Sequence, residues 1–124
     1  MNRYAAFHLR LASLYAIVGM ALGIYMGINQ NFTLMSAHVH LNLLGWVSIT
    51  LYGLVLRLDP YLDGPLPMIQ TFCAHIGALG MFTGLTVMGL YGHEAADPFL
   101  IGGSLSMITG ALLFALMVFR ITRR

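Results

Sequence analysis

The chain has very few charged residues, which make up only 8% of its 124 positions. A soluble domain carries about 25%, so this deficit excludes an ordinary water-exposed surface. The six basic residues are all arginine, and they form no patch with interleaved aromatic side chains, so nucleic-acid binding is not expected. The composition therefore predicts a protein whose surface faces the lipid bilayer.

Cysteine and several catalytic motifs are also scarce or missing. The single Cys73 cannot form an internal disulfide, and in its apolar surroundings it is expected to act as a small hydrophobic residue. The sequence contains no CxxC pair, no P-loop and no GxSxG motif. Phosphoryl transfer and serine hydrolase chemistry therefore have no support.

Four long apolar stretches dominate the chain, and each supplies the roughly 20 residues that a membrane-spanning helix needs. They predict helices at about 8–28, 34–57, 67–92 and 98–120, separated by the breaks "NQN", "DPYLDGPLP" and "HEAADP". Because short connections make neighbouring helices antiparallel, the predicted fold is an all-α, four-helix, up-and-down transmembrane bundle forming one domain, 1–124. No small-x-small cleavage site follows the first stretch, so we expect a retained helix rather than a signal peptide.

The arginines predict the orientation in the membrane. They lie in the N-terminal segment, the second break and the C-terminal tail, at Arg3, Arg10, Arg57, Arg120, Arg123 and Arg124. The first and third breaks contain none. The positive-inside rule then places both termini and the second break in the cytoplasm.

Small residues form a regular stripe in the first predicted helix. Gly19, Gly23 and Gly27 recur every four residues, a spacing that lets helix backbones approach closely. The same face continues through Tyr15, Ala12 and His8. The stripe is expected to pack helices within the chain or between copies in a homo-oligomer, or to leave room for a flat ligand.

Histidines in or beside apolar helices are functional hypotheses, because an ionisable group in the hydrocarbon is costly. His75 lies inside the third predicted helix and could be a metal ligand or an interhelical hydrogen-bonding group. His8 lies near the predicted inner face, as an interfacial anchor or as the partner of His75 in an inner metal site. His93 lies near the outer face beside Glu94, as a loop residue or a ligand.

The stretch "MSAHVHLNLLGW" places two histidines at the outer end of the second predicted helix. Two residues on an α-helix are about 200° apart, so His38 and His40 point to opposite sides and cannot share one metal ion. His38 shares a face with Asn42 and the glycines that follow. His40 shares an apolar face with Leu44, Val47 and Leu51, which suits a neighbouring subunit or a large hydrophobic ligand such as haem.

The segment "SAHVHLNLLGWVSITLYGLVLR" resembles the second helix of subunit I of haem–copper oxidases and nitric oxide reductases. A histidine near the outer end of that helix is there an axial ligand of the low-spin haem. The match "HLNLL" indicates His40 as the ligand and the match "SAH" indicates His38, with Asn42 and Trp46 as further haem contacts. Most of the chain also resembles small four-helix bacterial membrane proteins with the pattern A-H-x-H-L-N-L-L-G-W.

The resemblance implies a haem b protein of the bacterial inner membrane that works in electron transfer, gas sensing or haem handling, with a respiratory-chain partner. The chain lacks the later helices and histidines of the binuclear centre, so it is not expected to reduce oxygen or nitric oxide alone. A rise of 1.5 Å per residue places His75 roughly 12 Å deeper than His40. The second axial ligand is therefore expected to be His93 or a histidine of another copy, and an inner site at His75 and His8 is a second possibility.

Two other functions fit the same residues. Met35, His38, His40 and His93 all fall at the outer end, and imidazole and thioether ligands together favour copper. A copper-binding protein that assists oxidase assembly is therefore one alternative. The other is a structural subunit without a cofactor, whose histidines only form hydrogen bonds between helices.

Overall fold

The protein consists of membrane-length helices. Its structure, a computed structural model, describes residues 2–59 and 62–123. The described residues contain four apolar helices long enough to cross a membrane: α1 (Arg3–Asn29), α2 (Met35–Leu58), α3 (Pro65–Tyr91) and α4 (His93–Thr122). These helices confirm the all-α four-helix class. Met1, Pro60, Tyr61 and Arg124 lie outside the described residues, so the predicted contribution of Arg124 to the orientation and the centre of the second break do too.

The helix α1 begins at Arg3 rather than at residue 8 because Asn2 caps it. The Asn2 side-chain oxygen accepts hydrogen bonds from the backbone N–H groups of Tyr4, at 2.9 Å, and Ala5, at 3.4 Å. An asparagine cap of this kind satisfies N–H groups that have no partner within the helix. The Asn2 amide also donates to the Leu62 carbonyl at 2.6 Å, which ties the start of α1 to the segment before α3.

The helix α4 begins at His93, although the break "HEAADP" was predicted to extend to Pro98. Gly92 has a positive φ of 92°, which ends α3 and lets the chain turn within one residue. Pro98 lies inside α4. Its missing N–H leaves the carbonyl of Glu94 without a helical donor, but Glu94 lies at the exposed start of the helix, where water can replace that donor.

The helix α2 is not a regular α-helix throughout. Residues Leu41–Ser48 are wound as a π-helix between α-helical ends. A π-turn contains more than four residues, so His40, Leu44 and Ser48 line one cavity. Of the residues grouped with His40 by α-helical spacing, Leu44 lines this cavity, whereas Val47 and Leu51 do not and are 43% and 52% exposed.

Glycines set the close approach of α1 and α2. A Cβ added to Gly23 would lie 2.7 Å from the His38 ring, and one added to Gly19 would lie 2.6 Å from Asn42. In the other direction, a Cβ added to Gly45 of α2 would lie 3.1 Å from Tyr15. The predicted packing role of the stripe is confirmed at Gly19 and Gly23, whereas Gly27 has open space around it.

The helix α4 packs chiefly on α3 and has little other cover. At their crossing, a Cβ on Gly103 would lie 2.7 Å from the Met81 backbone nitrogen, so the two backbones are nearly in contact. In an 18-residue apolar stretch of α4, only 11% is buried inside the protein, compared with 28% to 33% in the corresponding stretches of the other helices. Most of α4 therefore faces lipid or another protein.

The two ends of the bundle differ in charge. Arg3, Arg57 and Arg120 lie at the end where α1 begins and where α2 and α4 finish, which we call the arginine end. Gln30 and Gly92 mark the far end, where α1 and α3 finish.

Candidate functional site

A buried string of polar side chains crosses the interface of α1 and α3 near the arginine end. Tyr15 lies 3.1 Å from His75 Nδ1, and His75 Nε2 lies 3.1 Å from His8 Nδ1. His8 Nε2 then lies 3.1 Å from both Gln70 Oε1 and Thr71 Oγ1. We call these five residues the histidine relay. The structure thus brings together His8 and His75, which the sequence proposed as a pair.

The direction of the hydrogen bonds in the relay follows from Thr71. Its hydroxyl donates to the Pro67 carbonyl at 2.7 Å, so it offers only lone pairs to His8. His8 Nε2 must therefore carry a proton and donate to Thr71 and Gln70. In the neutral ring His8 Nδ1 is then an acceptor, so His75 Nε2–H donates to it. Tyr15 O–H in turn donates to His75 Nδ1, and every donor in the string points the same way.

Small side chains allow this string to form in an apolar bundle. Thr71 and His75 are four residues apart on α3 and share a face. Ala12 of α1 and Ala74 and Ala78 of α3 are buried in the neighbouring core and bring the helices close. His8 is fully buried, and its ring stacks on His75 with 5.0 Å between the ring centroids.

The geometry of the pair does not fit one haem with both histidines as axial ligands. Metal–imidazole bonds are about 2 Å long, so ligands on opposite faces of a macrocycle are about 4 Å apart. The two ring nitrogens are 3.1 Å apart and joined by a hydrogen bond.

Among the buried polar side-chain atoms of the described residues, only Gln70 Nε2 has no hydrogen-bond partner.

The outer histidines lie on opposite sides of α2, as their spacing predicts. His38 faces α1 and its Nδ1–H donates to the Gly19 carbonyl at 2.7 Å. Asn42, one of the predicted cofactor contacts, fills the space over Gly19 and donates to the His38 carbonyl at 2.9 Å. His38 is therefore packed against the glycine stripe.

His40 lies at the edge of a cavity of about 380 Å³ between α2, α3 and α4. Its Nδ1–H donates to the Ser36 carbonyl at 2.9 Å, so the lone pair of the neutral ring is on Nε2. Met81 of α3 and Met107 of α4 line the same cavity. The hydroxyl of Ser104, also in the lining, donates to the Met81 sulfur at 3.2 Å.

The other predicted site residues are not brought to this cavity. His93 makes a 2.6 Å contact with Asp97 at the exposed start of α4. Trp46 is 40% exposed on the lipid-facing side of α2, and Met35 is 42% exposed. Within residues 2–59 and 62–123, no group of three or more His, Cys, Asp or Glu side chains could hold a metal ion. The predicted copper set of Met35, His38, His40 and His93 is therefore not assembled.

Sequence reasoning missed Gln70, Met81 and Met107 as site residues. A glutamine in an otherwise apolar helix is a detectable signal, because a buried amide requires a partner. The two methionines carry no such signal, since methionine is also a common filler of gaps between helices. Only the packing of α3 and α4 brings these two residues into the lining of the cavity that His40 also lines.

Known proteins do not decide what the site does. No family model, curated protein or solved structure matches the chain. The function must therefore be argued from the geometry and chemistry of the residues.

Proposed function

We propose that the protein is a haem-binding integral membrane protein and that His40 supplies one axial ligand. The observation that carries the proposal is the hydrogen bond from His40 Nδ1–H to the Ser36 carbonyl, at 2.9 Å. Metal-bound histidines usually donate their second ring N–H to a carbonyl or carboxylate, which fixes the tautomer and the ring orientation. The Nε2 lone pair of His40 remains available for iron.

The cavity at His40 supports haem rather than a small polar ligand. Its walls include Leu44, Ile108 and Ala111, which suit the apolar body of a porphyrin. The cavity opens towards the membrane, so the macrocycle would not be limited to the enclosed volume. When bound, haem supplies an iron that changes oxidation state.

If haem binds at His40, Met81 would be able to provide a thioether ligand to its iron. Its sulfur is oriented by the Ser104 hydroxyl, and both residues line the cavity beside His40. Histidine and methionine form the axial pair of cytochromes c, where the iron has no open position. This pair supports electron transfer more than gas sensing or haem delivery.

His38 is the weaker candidate for the iron ligand. Its Nδ1–H is also held by a carbonyl, that of Gly19. However, its ring packs against α1, with Cε1 2.7 Å from the position of a Cβ on Gly23. A macrocycle could reach His38 only if α1 and α2 separated.

Copper is the second candidate, and the two thioethers favour it. His40, Met81 and Met107 would provide one imidazole and two soft sulfur ligands, a set that suits Cu(I). This set replaces the one expected from the sequence, and it would fit a protein that passes copper to an oxidase.

The test is a visible spectrum of the purified protein after haem reconstitution, oxidised and reduced. We expect the parent protein to show the bands of low-spin haem, and His40→Ala to lose them. Met81→Leu should shift the reduced spectrum by removing the sulfur ligand. His93→Ala is the matched control and should retain the parent spectrum, since His93 is exposed at a distance from the cavity.

Other outcomes of this experiment are equally informative. Retention of the full haem spectrum by His40→Ala would refute the assignment, and loss only in His38→Ala would transfer it to His38. A colourless protein that binds one Cu(I), and loses it in both His40→Ala and Met81→Leu, would establish the copper alternative.

We further propose that the protein lies in the inner membrane of a bacterium, with both termini in the cytoplasm and a respiratory protein as electron partner. The clustering of arginines at one end of the bundle supports this orientation. Only 11% of an 18-residue apolar stretch of α4 is buried. This low burial supports contact with a second copy through that helix. Light scattering of the protein in mild detergent would measure the oligomeric state, and a monomeric mass would contradict the proposed self-association.

A further inference from the structure

A second cavity lies at the opposite end of the bundle from His40 and is independent of the haem proposal. It is a groove of about 590 Å³ between α1 and α3, a volume typical of small-molecule sites. On α1 it follows one face at four-residue steps, Arg3, Phe7, Leu11 and Tyr15. Its lining is apolar except for a few side chains, one of which is His75 of the histidine relay.

At the deep end of the groove, beside Tyr15 and His75, the polar side chains have used all their donors but not all their acceptors. Thr71 donates to Pro67 and accepts from His8. Both ring nitrogens of His75 are engaged, by Tyr15 and by His8. The Tyr15 hydroxyl donates its only hydrogen to His75, so its oxygen retains lone pairs. The deep end of the groove therefore offers an acceptor and no free donor.

We propose that this groove binds a lipid-soluble hydroquinone, whose hydroxyl donates to the Tyr15 oxygen. The ligand must be apolar to enter from lipid and must carry an O–H donor to match the acceptor. Phe7 and Phe72 line the groove and offer aromatic surfaces to a ligand ring. Phe7 already meets the His75 ring edge to face, at 5.0 Å between centroids.

The fixed direction of the relay makes the site select the reduced form of the ligand. A hydroquinone O–H adds one more donor to a string in which every bond points the same way, and such strings strengthen cooperatively. A quinone carbonyl would face the acceptor oxygen of Tyr15. To bind it, Tyr15 must turn its O–H away from His75 and lose that hydrogen bond. One hydrogen bond corresponds to a preference of about fivefold for the hydroquinone.

The experiment measures binding of decyl-ubiquinol and decyl-ubiquinone to the protein in lipid nanodiscs, with empty nanodiscs as the reference for partition into lipid. We expect saturable binding of both forms and about fivefold tighter binding of the quinol. Tyr15→Phe alone would free the His75 Nδ1 lone pair as a replacement acceptor in the groove. The decisive variant is therefore Tyr15→Phe/His75→Leu, which removes both acceptors and should abolish the preference. The matched control is Tyr25→Phe, which removes a hydroxyl from α1 at a site 57% exposed and outside the groove.

Three results would overturn the proposal. The first is no saturable binding beyond that of empty nanodiscs, which would mean that the groove holds only lipid chains. The second is an unchanged quinol preference in Tyr15→Phe/His75→Leu, and the third is loss of that preference in Tyr25→Phe. The haem assignment is tested separately, since His40→Ala should leave quinol binding unchanged.

Discussion

The relay makes a quantitative prediction about His8 and His75, because each buried ring supplies hydrogen bonds to the other and to further partners. Substituting leucine for His8 removes the acceptor of His75 Nε2–H and the donor to Gln70. A buried polar group without a partner costs about 1–3 kcal/mol. Two such groups should lower the free energy of unfolding by about 2–3 kcal/mol, since hydrogen bonds between membrane helices lie at the weaker end.

The substitution His75→Leu orphans fewer groups. It leaves His8 Nδ1 without a donor, while Tyr15 can turn its hydroxyl within the groove. The expected loss is about 1–2 kcal/mol. In the double variant neither ring remains to lack a partner, so the loss should stay near 2 kcal/mol, about 1–3 kcal/mol less than the sum of the single losses.

The assay is reversible unfolding of the purified protein in mixed micelles, followed by circular dichroism. His93→Leu is the matched control, because this histidine is exposed and should change the free energy of unfolding by less than about 0.5 kcal/mol. Additivity of His8→Leu and His75→Leu within about 0.5 kcal/mol would refute the relay as a coupled unit.

Three further predictions concern packing and orientation. Gly23→Ala should destabilise by about 1–2 kcal/mol because its Cβ meets the His38 ring at 2.7 Å, whereas Gly27→Ala has open space and should be neutral or slightly stabilising in the same unfolding assay. Gly103→Ala should destabilise by about 1–3 kcal/mol because its Cβ would lie 2.7 Å from the Met81 backbone nitrogen, whereas Gly102→Ala has nothing nearby and should not destabilise. Equal effects of the two substitutions in either glycine pair would contradict the close approaches of the helices. A C-terminal reporter that is active only in the cytoplasm should be active, and a silent reporter with an active periplasmic one would reverse the proposed orientation.

The sequence alone determined the class of the fold. Long apolar stretches with few charges favour the bilayer, where no water can bond to backbone N–H and C=O groups. A helix satisfies these groups within its own segment, so the stretches predict spanning helices. The same reasoning found the face of α1 that carries Gly19 and His8, since helical spacing places those residues together. It also placed His38 and His40 on opposite sides of α2, because both precede the π-helical segment.

The tertiary structure decided which distant residues meet. The sequence suggested His8 and His75 as a pair, but not that Gln70 and Thr71 complete the string. The pairing depends on how far α1 and α3 are shifted along each other, and apolar contacts between membrane helices tolerate several shifts of similar energy. The hydrogen bond from Thr71 to Pro67 then sets the direction of the whole relay, a detail that no spacing pattern contains.

The surroundings of His40 were likewise decided by packing. The π-helical winding after His40 turns Ser48 towards the cavity and leaves Val47 outside, which a periodicity of 3.6 residues cannot predict. Met81 reaches the cavity because the glycine at position 103 lets α4 lie directly against the α3 backbone. Local sequence sets the face of a helix, but the partner of that face depends on the close contacts that the whole bundle allows.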